Sequence, residues 1–262
     1  MTRRAPFILA IVAALVSVGV GQSAAAKPCK PAAKAKCAGA NLKGANLAGK
    51  NLNFIDLTGA NLAGANLTGA SLIGANLTKA NLTGANFTNV NMNRSTMNTA
   101  IVSGAHFTSA NMLEVHAGKL TAIGTDFTKA YLQAALLTGG NFTNAIFAGA
   151  TMNGEGSAEG ENDVSRNVDL TGAILKGADF TGANLNSAIL SSSQLQGANL
   201  TNADLTAASI NAANLTGAKT SGVISAELQW SATTVCPSGA SAKSIAGGCF
   251  PPTAGASTTT SG

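Results

Sequence analysis

Histidine is nearly absent from this 262-residue chain, with two copies, and aromatic residues make up only 4% of it. Charged side chains are also scarce, at 10%. These shortages exclude several kinds of chemistry. His106 and His116 are the only imidazoles available to activate a Ser or Cys nucleophile. No glycine-rich phosphate loop or dinucleotide fingerprint appears, since the glycines follow a repeat. The lysines are not interleaved with aromatic residues that could stack on bases. No residue is expected to be catalytic, to bind a cofactor or to ligate a metal.

Cysteine is limited to Cys29, Cys37, Cys236 and Cys249. Four cysteines allow three connectivities. Each close pair sits at its own end of the chain, so local bridging, Cys29 with Cys37 and Cys236 with Cys249, is the natural choice in an oxidising compartment. Their spacing is too wide for the short thiolate pairs of zinc sites, and neither His lies nearby.

No apolar run reaches the ~18–20 residues that span a bilayer. Arg3 and Arg4 precede the run Phe7 to Val20, and Ala24-Ala25-Ala26 then fits the small-residue cleavage rule. Residues 1–26 are therefore expected to be a secretory signal, with a retained anchor helix as the alternative. The expected location is secreted or periplasmic, with no stable membrane insertion after cleavage. Removal of Arg3 and Arg4 lowers the formal charge from +5 to +3. That charge is uneven. Lys27, Lys30, Lys34, Lys36, Lys43 and Lys50 crowd the start, while Glu155, Glu159, Glu161 and Asp163 share one later segment. A lysine-rich terminus can attract anionic surfaces, but a solvated end is the plainer reading.

What the sequence has in abundance is repetition. From Leu42 to Met152 every fifth position gives 23 centres, and 21 of them are Leu, Phe, Met or Val. The exceptions are Ala117 and Ala122. A second register runs from Leu170 to Leu215, where all ten centres are Leu, Phe or Ile. Ala usually stands two positions before each centre, and Asn or Asp just before it. A period of five fits neither the 3.6 of a helix nor the 2 of a strand. A coil whose every side is one five-residue unit lets all centres point inward, with Ala beside them in a narrow interior.

The pattern A-[N/D]-[L/F]-x-x over about residues 38 to 220 resembles the pentapeptide repeat family. That resemblance implies an all-β fold, a right-handed quadrilateral β-helix of about eight coils with four units per coil. With twenty residues per coil, Phe87, Phe107, Phe127 and Phe147 should stack on one face as a core ladder. Leu52, Leu72, Met92, Met112, Leu132 and Met152 should form a neighbouring column. Val115 and Leu120 should point inward to replace the volume lost at Ala117 and Ala122. His106 and His116 should lie on opposite faces, and Arg94 and Glu114 should meet between coils.

The expected organisation is a signal at 1–26, a disulfide-bearing cap at 27–39, repeats at 40–152, an acidic Gly/Ser-rich loop at 153–167, repeats at 168–220, a Trp/Cys cap holding Trp230 at 221–250, and a disordered tail at 251–262. Glu155, Glu159, Glu161, Asn162 and Asp163 are oxygen ligands of the kind Ca²⁺ takes, but their spacing is not that of an EF-hand. A solvated loop is the expectation. The functional expectation is a secreted, non-enzymatic solenoid serving as a structural or protein-interaction module. Its partner would be a protein or cell-envelope component rather than nucleic acid, and its ends could self-associate. The alternative implied by the resemblance is a DNA mimic that binds or protects DNA gyrase. The positive charge and the export signal argue against it, since mimicry needs a dense negative surface.

Overall fold

The computed structural model describes residues 29–154, 167–240, 242 and 249–250. The expected signal at 1–26, residues 155–166 of the acidic segment and the tail at 251–262 lie outside the described residues.

The fold follows from its smallest unit. Leu67 is buried, while Asn66 and Thr68 on either side of it face outward. The chain then bends, and Ala70 N donates to Leu67 O at 2.9 Å with Gly69 at φ 62°. A single positive φ at the third position of the turn is what a type II turn requires. Among the described residues nineteen glycines and eighteen other residues have positive φ, including Lys79 and the β-branched Thr99. The coil therefore imposes the left-handed corner even where no glycine eases it.

Each unit makes one short extended side and one corner, and four sides close a square. Parallel pairing joins each side to the one twenty residues on, as in Lys36 with Asp56 and Asn111 with Tyr131. The result is a right-handed quadrilateral β-helix. About eight coils carry the faithful repeats, and pairing continues past them to Lys36 at one end and to Gln229 and Val235 at the other. We number the sides by their buried centres: face 1 holds Leu57 and Leu77, face 2 Leu62 and Leu82, face 3 Leu67 and Phe87, face 4 Leu72 and Met92.

Backbone polar groups find partners in the next coil, so the narrow rod leaves few unpaired inside it. Leu67 N donates to Asn86 O at 2.7 Å, Gly69 N to Thr88 O at 2.9 Å, and Asn86 N to Ala65 O at 2.9 Å. The outward Asn has its own local task. Asn66 Oδ1 accepts from Thr68 N at 3.1 Å and from Thr68 Oγ1 at 2.7 Å, a side chain holding the approach to the corner.

The interior is filled from end to end. Alanines such as Ala60, Ala65 and Ala80 are buried beside the centres, and Val115 and Leu120 are buried next to Ala117 and Ala122. The rings of Phe87, Phe107, Phe127 and Phe147 stack in succession at centroid distances of 4.6, 5.2 and 4.9 Å. Phe180 continues the column, 4.9 Å from Phe147 and nearly parallel to it.

That last contact explains the break in the repeat. Pairing shifts from a separation of 20 to one of 33 between Leu136 and Asp169, and returns to 20 between Asp169 and Ile189. Both registers thus stay in phase across the thirteen extra residues that the sequence holds between Met152 and Leu170.

The flanks join the coil geometry more closely than a boundary at residue 39 or 221 implies. Cys37 is buried at the centre position below Leu57, with its N–H on Asp56 O at 2.8 Å. Cys236 is buried one coil beyond Leu215, whose N–H reaches Val235 O at 2.8 Å. Cys29 pairs with Cys37 (Cα–Cα 5.4 Å) and Cys236 with Cys249 (4.8 Å). Each cysteine pair therefore ties a flank to a core position.

Candidate functional surface

A packed interior leaves the outer wall as the place for function. On face 3 the outward residues just before the centres run Asn66, Asn86, His106, Asp126, Ile146 and Asp179. His106 pairs with Asp126 through the backbone, and Thr108 Oγ1 donates to Asp126 Oδ2 at 2.8 Å. Burial works to raise the Asp126 carboxyl, but hydrogen bonds from the Thr128 side chain, Thr128 N and Thr108, with His106 nearby, hold it below its ordinary 3.8. Asp56 on face 1 is likewise lowered from 3.8, chiefly by the Thr58 hydroxyl and N–H.

These groups do not converge. His116 lies on face 1, pairing with Leu136, so the two imidazoles are on opposite sides of the rod. Among the described residues no group of three or more His, Cys, Asp or Glu side chains could hold a metal ion. Arg94 and Glu114 meet at adjacent corners of face 4, with Nε 2.8 Å from Oε2. Both are partly solvated, which makes the pair a surface feature. The Glu155, Glu159, Glu161, Asn162 and Asp163 cluster falls outside the described residues.

The exposed apolar side chains are dispersed as well. Ile101 and Ile123 are on face 2, Tyr131 on face 4, Leu136 on face 1 and Ile146 on face 3. Trp230 occupies the face 1 centre position above Ile210 and is 41% exposed, with no further coil over it among the described residues. Among the described residues no helix is long and apolar enough to cross a membrane.

Two residues with structural weight escape a reading of the repeat alone. Phe180 completes the ring column, and the signal for it is that 33 equals one coil plus the insertion. Gly140 stands where Ala is usual. A Cβ there would lie 2.5 Å from Phe142 Cε2, so the glycine makes room for a ring. Phe142 in turn lies in the column of Ala122, one coil on, and approaches Phe127 at 6.2 Å.

A four-sided parallel coil with a self-filled core defines a repeat solenoid whose wall is its working surface. The family model for pentapeptide repeats matches this chain in 8 copies, over residues 35–72, 65–104, 125–154, 166–202 and 190–219. The chain belongs to the pentapeptide repeat family. The unmatched gap at 105–124 is where Ala117 and Ala122 replace the large centres.

Solved structures similar to it include HetL, a pentapeptide repeat protein involved in heterocyst differentiation regulation from the cyanobacterium Nostoc sp. Strain PCC 7120. It is 25% identical, covering 79% of this chain and 91% of that one, with a TM-score of 0.41. QnrB1, a plasmid-mediated fluoroquinolone resistance protein, is 18% identical over 73% of this chain and 86% of its own, with a TM-score of 0.40. A pentapeptide repeat protein of the Arabidopsis thaliana thylakoid lumen is 29% identical over 37% of this chain and 63% of its own, with a TM-score of 0.16. A comparison with curated proteins gave no match.

Proposed function

We propose that this protein is an exported, non-enzymatic rod that serves as a structural or protein-interaction module of the cell envelope or its exterior. The observation that carries this reading is the interior that the chain fills with its own side chains. Among the described residues, core positions are occupied from end to end, and polar groups of the wall bond to one another, as Thr108 does to Asp126 and Arg94 to Glu114. Export is supported by the N-terminal apolar run and by two cysteine pairs at bridging distance. The flanks act as end caps that keep the first and last coils from fraying.

The test is fractionation of the expressed full chain, combined with a thiol-alkylation mass shift. The expected result is recovery in the envelope or external fraction, lacking residues 1–26 and without reactive thiols. Cytosolic protein with reduced cysteines would overturn the exported reading. Gyrase mimicry is the second reading, and the net positive charge counts against it. Unaltered gyrase supercoiling in the presence of the purified chain is the expected outcome.

A further inference from the structure

We propose that the N-terminal end of the rod is a docking surface for an anionic lipid bilayer, holding headgroup phosphates with lysines set around the first coil. The inference rests on the exported reading, because export brings this end to a bilayer.

Among the described residues no coil lies beneath the first one. The N–H groups of Asn61, Asn66 and Ser71 donate to Ala40, Ala45 and Lys50 of the coil below. The equivalent N–H groups of Asn41, Asn46 and Asn51 have no partner among the described residues. An open edge of this kind normally invites strand pairing. Here it is ringed by ammonium groups instead. Lys36 stands on face 1, Lys43 on face 2, Lys34 at the corner before face 1, and Lys30 just ahead of it; all are exposed. Lys50 occupies the position that Ala70, Val90 and Ala110 fill in later coils, where each of those is buried. With no coil below, Lys50 is exposed instead.

The charge is confined to this end. Residues 27–56 contain six lysines and one carboxylate, Asp56, whereas residues 57–262 contain eight basic and ten acidic side chains. The rod is thus polarised along its axis, with the whole net positive charge at one tip.

The arrangement fits a bilayer better than a peptide or a nucleic acid. The lysines surround an end and do not line a groove, and long flexible stems suit a mobile array of phosphates. Phe54, the one aromatic side chain in the coil, leans over Gly74 in the coil above and so away from the tip.

The experiment is vesicle co-sedimentation with the chain from Lys27 to Gly262, which contains every described coil, with both disulfides intact. Vesicles of phosphatidylglycerol mixed with phosphatidylcholine should bind it, and pure phosphatidylcholine should not. Binding should vanish as NaCl is raised from about 0.1 M to about 1 M and the Debye length falls from ~10 Å to ~3 Å. At about fivefold per lysine, the triple variant Lys36→Gln, Lys43→Gln, Lys50→Gln should lower partitioning about a hundredfold. Lys119→Gln, Lys129→Gln, Lys176→Gln changes net charge equally, away from the tip, and should leave partitioning within about threefold. Circular dichroism melts of both triples check folding. Equal loss in the two triples, no preference for anionic vesicles, or stronger capture by poly-glutamate or duplex DNA would overturn the proposal. The assay uses purified protein, so its failure leaves the fractionation result standing.

Discussion

Gly140 and Phe142 show how strictly the interior constrains single residues. The site two before a centre is Ala in most coils, and at Gly140 even that methyl would meet the Phe142 ring at 2.5 Å. Gly140→Ala is expected to destabilise the protein by about 1–3 kcal/mol through overpacking, read as a lower denaturant midpoint with unchanged slope. The opposite defect occurs at Ser95 and Ser193, whose buried hydroxyls lack a hydrogen-bond partner. Asp126 adds a pH-dependent element. Its folded pKa lies below its ordinary value of 3.8, so its contribution is present above that value and is lost as pH falls through the folded pKa. The stability gap between the native chain and Asp126→Asn should therefore be widest near neutral pH and close under acid, as followed by urea unfolding across pH. The Thr108 contact to Asp126 cannot be read from a five-residue motif, because it depends on the neighbouring coil, whereas Gly140 and Phe142 lie two residues apart in one unit.

At the scale of the coil, the inserted segment is the informative element. The step from Met152 to Leu170 is 18 residues, one unit plus thirteen, and the structure keeps both registers in phase. Deleting residues 155–167 would leave Gly154 at the corner and Val168 two before Leu170, which restores an unbroken coil. The melting temperature of that deletion is expected to hold or rise, since shortening a loop lowers its closure entropy cost. Removing one residue fewer leaves a single extra residue at the junction, and that variant should melt below the thirteen-residue deletion. The sequence makes both registers legible, but it does not say whether their junction is a bulge or an excursion. The stacking of Phe180 on Phe147 shows that the two registers share one column.

For the whole molecule, the ends determine how far the rod is protected. A solenoid's terminal coils have a neighbour on one side only. Here the first pair ties Cys29 to the buried Cys37 and the last ties Cys249 to the buried Cys236. Reduction should cost about 2–3 kcal/mol for each loop in the chain-entropy model. Hydrogen exchange should then show fraying confined to the first and last coils, with the Phe column still protected. Faster exchange along the whole rod would mean that the caps hold the entire core. The insertion, the dispersed apolar residues and the charged tip all sit outside the repeat consensus, so their places in space follow only from the closed coil.

The sequence by itself determined the unit: five residues, a large centre, a small companion and a polar wall, because each unit must bury its own centre to fold at all. It also determined the charge asymmetry, which needs only counting. What only the tertiary structure decided is vertical. The stack of coils placed Phe180 over Phe147, held eighteen non-glycine corners of the described residues at positive φ and left Lys50 exposed at the tip. The physical reason is that these contacts join residues one coil apart, through packing and hydrogen bonds that a local five-residue pattern cannot encode.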